Sequence, residues 1–193
     1  MITVKINGEE RQYPQGATYE DVANDYQKEY DNLIALAARD GKIRELFKKL
    51  TRDCEITFFT LKDDVGNKTY VRSATMLFLK SVFDVFGRET VQNCRVEFAI
   101  GNGSYISPKG KINATEENAA KIRNRMRELV EAKTPFLKKS YSLDNAMELF
   151  RREGMKDKEK LFRYRRGSFV NIYEMDGYYD YYYGYMLPNA GYV

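Results

Sequence analysis

Residues 2–22, ITVKINGEERQYPQGATYEDV, set the architecture of the first third of the chain. Apolar and polar positions alternate through Ile2, Val4 and Ile6, the period of a strand with one buried face. Asn7-Gly8 comes next, a pair that tolerates positive φ and closes a tight hairpin. Thr18 then occupies a helix N-cap position with Asp21 in the first turn. Asp in place of Glu or Gln makes an imperfect capping box, although its charge suits a helix N-terminus. The stretch therefore predicts a β-hairpin feeding a helix, with Ile2, Val4 and Ile6 facing a core.

Working outward, Asn32-LIALAARDG has a strand-like centre and a glycine-containing turn. Lys42-IRELFKKL fits either a short helix or an irregular strand, whereas Glu55-ITFFTL reads as a strand. A helix laid across this small mixed sheet buries one face of each and makes one core. Asp63-DVGNK is polar and contains glycine, so the domain boundary is expected there, after residue 66.

Beyond it, residues 69–86 space Val71, Met76, Phe78, Leu79, Val82, Phe83 and Phe86 at close to helical intervals. Residues 91–100 and 103–106 are expected to pair around Gly101-Asn102-Gly103. Thr115 should cap a long helix that begins acidic and continues basic. A shorter helix should run from Ser142 or Leu143 to Arg152 and stop at Gly154. After the charged Lys156-DKEK stretch, Gly167-SFVNIYEM reads as a strand with residues 178–185 as its partner. The expected fold class is α+β in both halves.

No histidine occurs among the 193 residues, which removes the commonest neutral-pH proton shuttle and metal ligand. Nine of the sixteen tyrosines lie in the last thirty positions, offering aromatic surface whose hydroxyls need partners when buried. Cys54 and Cys94 are too few for a disulfide scaffold, and neither has a cysteine partner at metal-ligand spacing. Residues 1–66 carry ten Lys/Arg against thirteen Asp/Glu, and residues 67–193 carry twenty-two against fifteen. That basic excess permits an anionic partner without demanding one. With no signal peptide and no long apolar run, a cytoplasmic location and no membrane partner are expected.

The hairpin, the Tyr13-Pro-Gln-Gly-Ala-Thr passage and the LIALAARDG strand resemble a TGS domain, the ubiquitin-like β-grasp module of threonyl-tRNA synthetases and some GTPases. By that resemblance residues 1–66 form a β-grasp domain. Arg72-SATMLFLKSVFDVFG and Tyr182-YGYMLPNAG make residues 67–193 resemble the second additional domain of threonyl- and alanyl-tRNA synthetases. Synthetases carry two histidines four apart on this helix, then a cysteine and, four residues later, another histidine. Arg72, Met76, Tyr182 and Met186 stand at those places. Arginine is no usual zinc ligand, neutral tyrosine is a poor one, and methionine is soft and weak. A metal- or histidine-based editing site is therefore physically unsupported, and the module is expected to hold a degenerate one.

The ending YEMDGYYDYYYGYMLPNAGYV also resembles the N-terminal region of bacterial uridine-kinase-like proteins, in which these two modules precede a P-loop kinase. That resemblance implies a regulatory or substrate-handling region of an ATP- and Mg-dependent nucleoside kinase. The chain has no GxxxxGK[ST] motif, so the 193 residues are expected to be a fragment ending before the kinase domain, without cofactor or catalysis of their own.

Four residues, Arg72, Met76, Tyr182 and Met186, thus form a candidate ligand cleft. Arg72 could offer its donor fork to a phosphate or carboxylate while tyrosines stack on a base. Alternatively the methionines fill the former site, Tyr182 closes it, and Arg72 pairs with an acid such as Asp180. Arg163, Tyr164, Arg165 and Arg166 form a second candidate, able to contact RNA backbone and one stacked base. The competing view is a solvated turn whose charges are partly matched by Asp157 and Glu159. An RNA-binding module and a purely structural assembly module are accordingly the alternatives to the kinase-associated role.

Overall fold

Asn7 and Gly8 take positive φ values of 50° and 88° and close the first hairpin as the sequence requires. The computed structural model describes residues 1–101, 103–108, 112–165 and 167–193. They divide into two units, one of residues 1–74 with 183–193 and one of residues 75–182. By compactness the division falls after Ala74, and the last eleven residues belong with the first unit.

In the first unit, β1 (Ile2–Ile6) and β2 (Glu9–Tyr13) precede α1 (Tyr19–Tyr26), followed by β3 (Ile34–Arg39), β4 (Lys42–Glu45) and β5 (Cys54–Thr60). The sheet order is β2-β1-β5-β3-β4, with β1 and β5 parallel and the other pairs antiparallel. Ile2, Val4 and Ile6 are buried with Val22 and Tyr26 of α1 and with Ile56 and Phe58 of β5. Residues 42–45, open between helix and strand in the sequence, are a strand. Pairing with β3 from Leu36↔Glu45 to Arg39↔Lys42 decides the matter.

The capping box of α1 is complete despite its aspartate. The Thr18 amide donates to Asp21 Oδ2 at 2.7 Å, and the Asp21 amide donates to Thr18 Oγ1 at 3.2 Å.

Helix α2 spans Asp64–Phe86, so Asp63-DVGNK is the start of a helix rather than a polar break. Asp63 Oδ2 accepts the Thr60 amide at 2.7 Å, which turns the chain from β5 into the helix. Gly66 is needed at this turn because a Cβ there would overlap the Thr60 carbonyl oxygen. The glycine that signals a loop in sequence is a requirement for close approach.

The second unit continues with α3 (Arg88–Asn93), β6 (Arg95–Ile100), β7 (Gly103–Ser107), α4 (Glu116–Glu131) and β8 (Leu137–Ser142). It ends with α5 (Leu143–Arg152), α6 (Lys156–Phe162), β9 (Phe169–Met175) and β10 (Tyr178–Asp180). β8, β9 and β10 form an antiparallel sheet in the order β10-β9-β8, while β6 and β7 pair as a separate hairpin. Ala146, Leu149 and Phe150 of α5 pack with Phe162 of α6 and with Val170 and Ile172 of β9. Residues 91–93 are helical, the charged Lys156-DKEK stretch forms most of α6, and only residues 178–180 of the expected partner strand pair with β9. The whole is a mixed α+β chain.

Candidate functional site

Helix α6 buries Phe162 and then releases the chain into a surface turn. Arg163 and Arg165 are exposed there, and Tyr164 retains 84% of its accessible surface. Arg165 is held from beneath: its guanidinium lies 5.2 Å from the Phe162 ring centre and 5.9 Å from that of Tyr181. It also donates to Tyr181 Oη at 3.2 Å, and Phe162 and Tyr181 meet edge to face at 4.7 Å. An arginine stacked on aromatics and tied by one hydrogen bond has donors left for an incoming anion. Among the described residues no carboxylate pairs with Arg163 or Arg165. Asp157 pairs with Lys158 at 3.3 Å and Glu159 with Arg151 at 3.0 Å. Arg166, the fourth member expected from sequence, lies outside the described residues.

Close by in sequence is a buried polar group. Asp180 at the end of β10 accepts the Tyr181 amide at 2.7 Å and faces Lys158 Nζ at 3.4 Å. The Tyr178 hydroxyl donates to its other oxygen at 3.5 Å. Burial pushes the Asp180 carboxyl above the usual carboxylate range, and Lys158 pulls it partway back. Burial works against the Lys158 ammonium, but Asp180 and Asp157 outweigh it and hold its pKa above the ordinary lysine value. The Tyr178 and Tyr182 hydroxyls are pushed well above 10, first by burial and then by Asp180. Phenols so held stay neutral and cannot serve as bases near neutral pH. The group has the chemistry of a buried charge pair. Asp176, the other acid near this strand, faces Lys80 Nζ at 3.2 Å.

The four cleft residues are distributed between the units. Arg72 and Met186 lie in the first; Met76 and Tyr182 lie in the second. Arg72 is half-buried, and its guanidinium lies so close to Gly184 that a Cβ there would come within 2.7 Å of Arg72 Cζ. Met186 is fully buried; its amide donates to Glu45 Oε1 at 3.2 Å, and the Ser73 hydroxyl lies 3.9 Å from its sulfur. Ser73 Oγ accepts the Leu187 amide at 2.9 Å. Met76 is fully buried, and the Tyr182 hydroxyl oxygen is closed to solvent. Asp180, weighed in sequence as a partner for Arg72, takes Lys158 as its cation.

Among the described residues no three His, Cys, Asp or Glu converge to hold a metal ion. None of their helices is long and apolar enough to cross a membrane. Sequence reasoning missed one cavity, of about 500 Å³, lined by Phe78 and Val82 of α2, Cys94, Ile106 of β7, and Ile122 and Met126 of α4. Phe78 and Val82 carried only the signature of a packed helix face, and nothing local distinguishes a lined cavity from a filled one.

No family model matches the chain. It is similar along its whole length to a threonine–tRNA ligase of Thermotoga maritima, 29% identical over 197 aligned residues. A threonine–tRNA ligase of Maricaulis maris is 28% identical over 99% of the chain, and one of Porphyromonas gingivalis is 22% identical over all of it. The chain spans about three tenths of the length of these relatives, 29–30%. They lend no support to a nucleoside-kinase parent. What they show is end-to-end similarity to one stretch of threonine–tRNA ligases.

Proposed function

We propose that the chain is a noncatalytic, tRNA-related module of the kind found at the N-terminus of threonyl-tRNA synthetases. Its relatives carry the proposal: they align from one end of the chain to the other and are threonine–tRNA ligases. Residues 1–66 are a β-grasp domain of TGS type, which the sheet order β2-β1-β5-β3-β4 with a parallel central pair supports. By resemblance the additional-domain-like module is residues 67–193, of which 67–74 and 183–193 pack within the first unit; its editing positions are replaced by Arg72, Met76, Tyr182 and Met186. Two buried methionines and a neutral phenol offer no ready base or nucleophile at those positions, and thioether sulfur is only a soft, weak ligand.

RNA contact is the role that the surface of the second unit supports. Arg163 and Arg165 present unpaired cations to phosphate, and Tyr164 presents a free ring face to a base. The test is fluorescence anisotropy with a labelled tRNA transcript across a salt series. Binding should weaken steeply with salt, and Arg163→Ala with Arg165→Ala should flatten log K against log salt by about two. Absence of binding by the unaltered chain at low salt would sink the proposal. The chain should also leave an aminoacyl-tRNA ester unhydrolysed above the blank rate.

A further inference from the structure

Charge in the first unit is sorted sharply. Residues 1–38 carry three Lys/Arg against seven Asp/Glu, and residues 53–66 carry one against four. Between them, residues 39–52, RDGKIRELFKKLTR, carry six against two. A basic segment set in an acidic domain is a concentrated source of positive potential.

The fold fixes where these charges stand. In the β3–β4 register Arg39 stands opposite Lys42 and Ala37 opposite Arg44. Directly paired residues share a face and alternate residues return to it, so Arg39, Lys42 and Arg44 occupy one face of this sheet edge. The chain after β4 runs beside the start of α1, where Lys48 O accepts the Tyr19 amide at 3.0 Å and Lys49 bridges to Thr18. Lys48 and Lys49 are thereby fixed in backbone position while their side chains are exposed.

Little nearby neutralises them. Arg52 pairs with Asp40 at 2.8 Å. Arg39 donates to Thr51 Oγ1 at 2.9 Å and Arg44 to the Ile43 carbonyl at 3.1 Å, neither of which cancels charge. Among the described residues no ion pair engages Lys42, Lys48 or Lys49.

We infer that residues 39–49 of the first unit form a second RNA contact, in which Lys42, Lys48 and Lys49 engage the phosphodiester backbone. Protein interfaces bury an apolar or aromatic centre and are poor in lysine, whereas this segment offers three exposed lysines and one half-buried aromatic, Phe47, with Lys48 5.3 Å from its ring centre. A phosphate backbone needs little besides such charge. The partner class rests on the tRNA-related reading above, but the residues and the unit are different.

Anisotropy titrations with a labelled tRNA transcript separate the two. The Lys42→Gln, Lys48→Gln, Lys49→Gln triple variant should bind about tenfold more weakly at roughly 0.1 M salt, with a salt slope shallower by about two to three. Should the triple variant fail to fold, as judged by circular dichroism, the single Lys42→Gln and Lys49→Gln variants carry the test, each shallower by about one. Unchanged affinity and slope in the lysine variants, with binding lost in the Arg163/Arg165 variant, would overturn this inference and leave the proposed function standing. Failure of the unaltered chain to bind would overturn both. Tighter binding of polyglutamate than of RNA would assign the surface to an acidic protein instead.

Discussion

Asp180 shows what one residue can do when its surroundings are read rather than its position in a run of tyrosines. Its carboxylate is buried beside a lysine, an amide and a phenol, so removing the lysine strands a charge. Lys158→Met should therefore destabilise the second unit by about 3 kcal/mol near neutral pH. The sign with pH follows from the raised Asp180 pKa: protonation favours the folded state, so the loss is present above the carboxylate range and shrinks as pH falls. Urea denaturation at about pH 4.5 and pH 7.5 reads the difference, and an equal deficit at both would refute the role given to Asp180. The sequence set Asp180 in a run of tyrosines and offered Arg72 as its cation, whereas the cation is Lys158. Lys158 belongs to a helix whose one buried side chain, Phe162, packs against α5 and β9. At Arg165 the charge was legible and its support was not, because Phe162 and Tyr181 lie three and sixteen residues away.

Among the elements, those with a strong internal pattern were legible. The first hairpin, α1, β3, α4 and α5 each carried their own period, cap or turn residue, and Thr18, Thr115 and Ser142 all cap as their chemistry directs. Elements defined by a partner were not legible. β8 reads Leu-Lys-Lys-Ser-Tyr-Ser, with no buried alternation of its own, and is a strand because β9 pairs with all six residues. α6 buries only Phe162 in seven residues, too little for a periodic stripe. The β6–β7 hairpin is the converse case: its pattern is clear, yet every residue of β6 is exposed and among the described residues no third strand joins it. Two-stranded hairpins are marginal in water. Amide exchange in β6 should be faster than in β9, which is paired on both sides, by about a hundredfold or more. Comparable protection of the two strands would show that something covers β6.

Across the whole molecule, the first unit depends on residues distant in sequence. Met186, Leu187 and Ala190 are fully buried, and the tail is tied by Ser73 to Leu187, by Glu45 to Met186 and by Glu20 to Asn189 at 3.4 Å. Tyr192 contributes a hydroxyl whose pKa is raised by burial and by Glu20. Deleting residues 183–193 should cost the first unit about 4 kcal/mol or more, from the loss of two large buried side chains and their hydrogen bonds. A thermal melt followed by limited proteolysis checks it; an unchanged midpoint would show that the tail adds nothing. The tyrosine-rich ending was conspicuous in sequence, but its attachment is non-local and no period announces it.

That attachment also sets a timetable. Domains made first on the ribosome usually fold first, but here the opening 74 residues lack their final piece until residue 193 has been polymerised. At about 10 residues per second the intervening stretch takes roughly ten seconds to synthesise. During that interval the nascent first unit remains unsealed, and a chaperone acting on this protein would find its longest-lived apolar opening where Met186 and Leu187 finally dock.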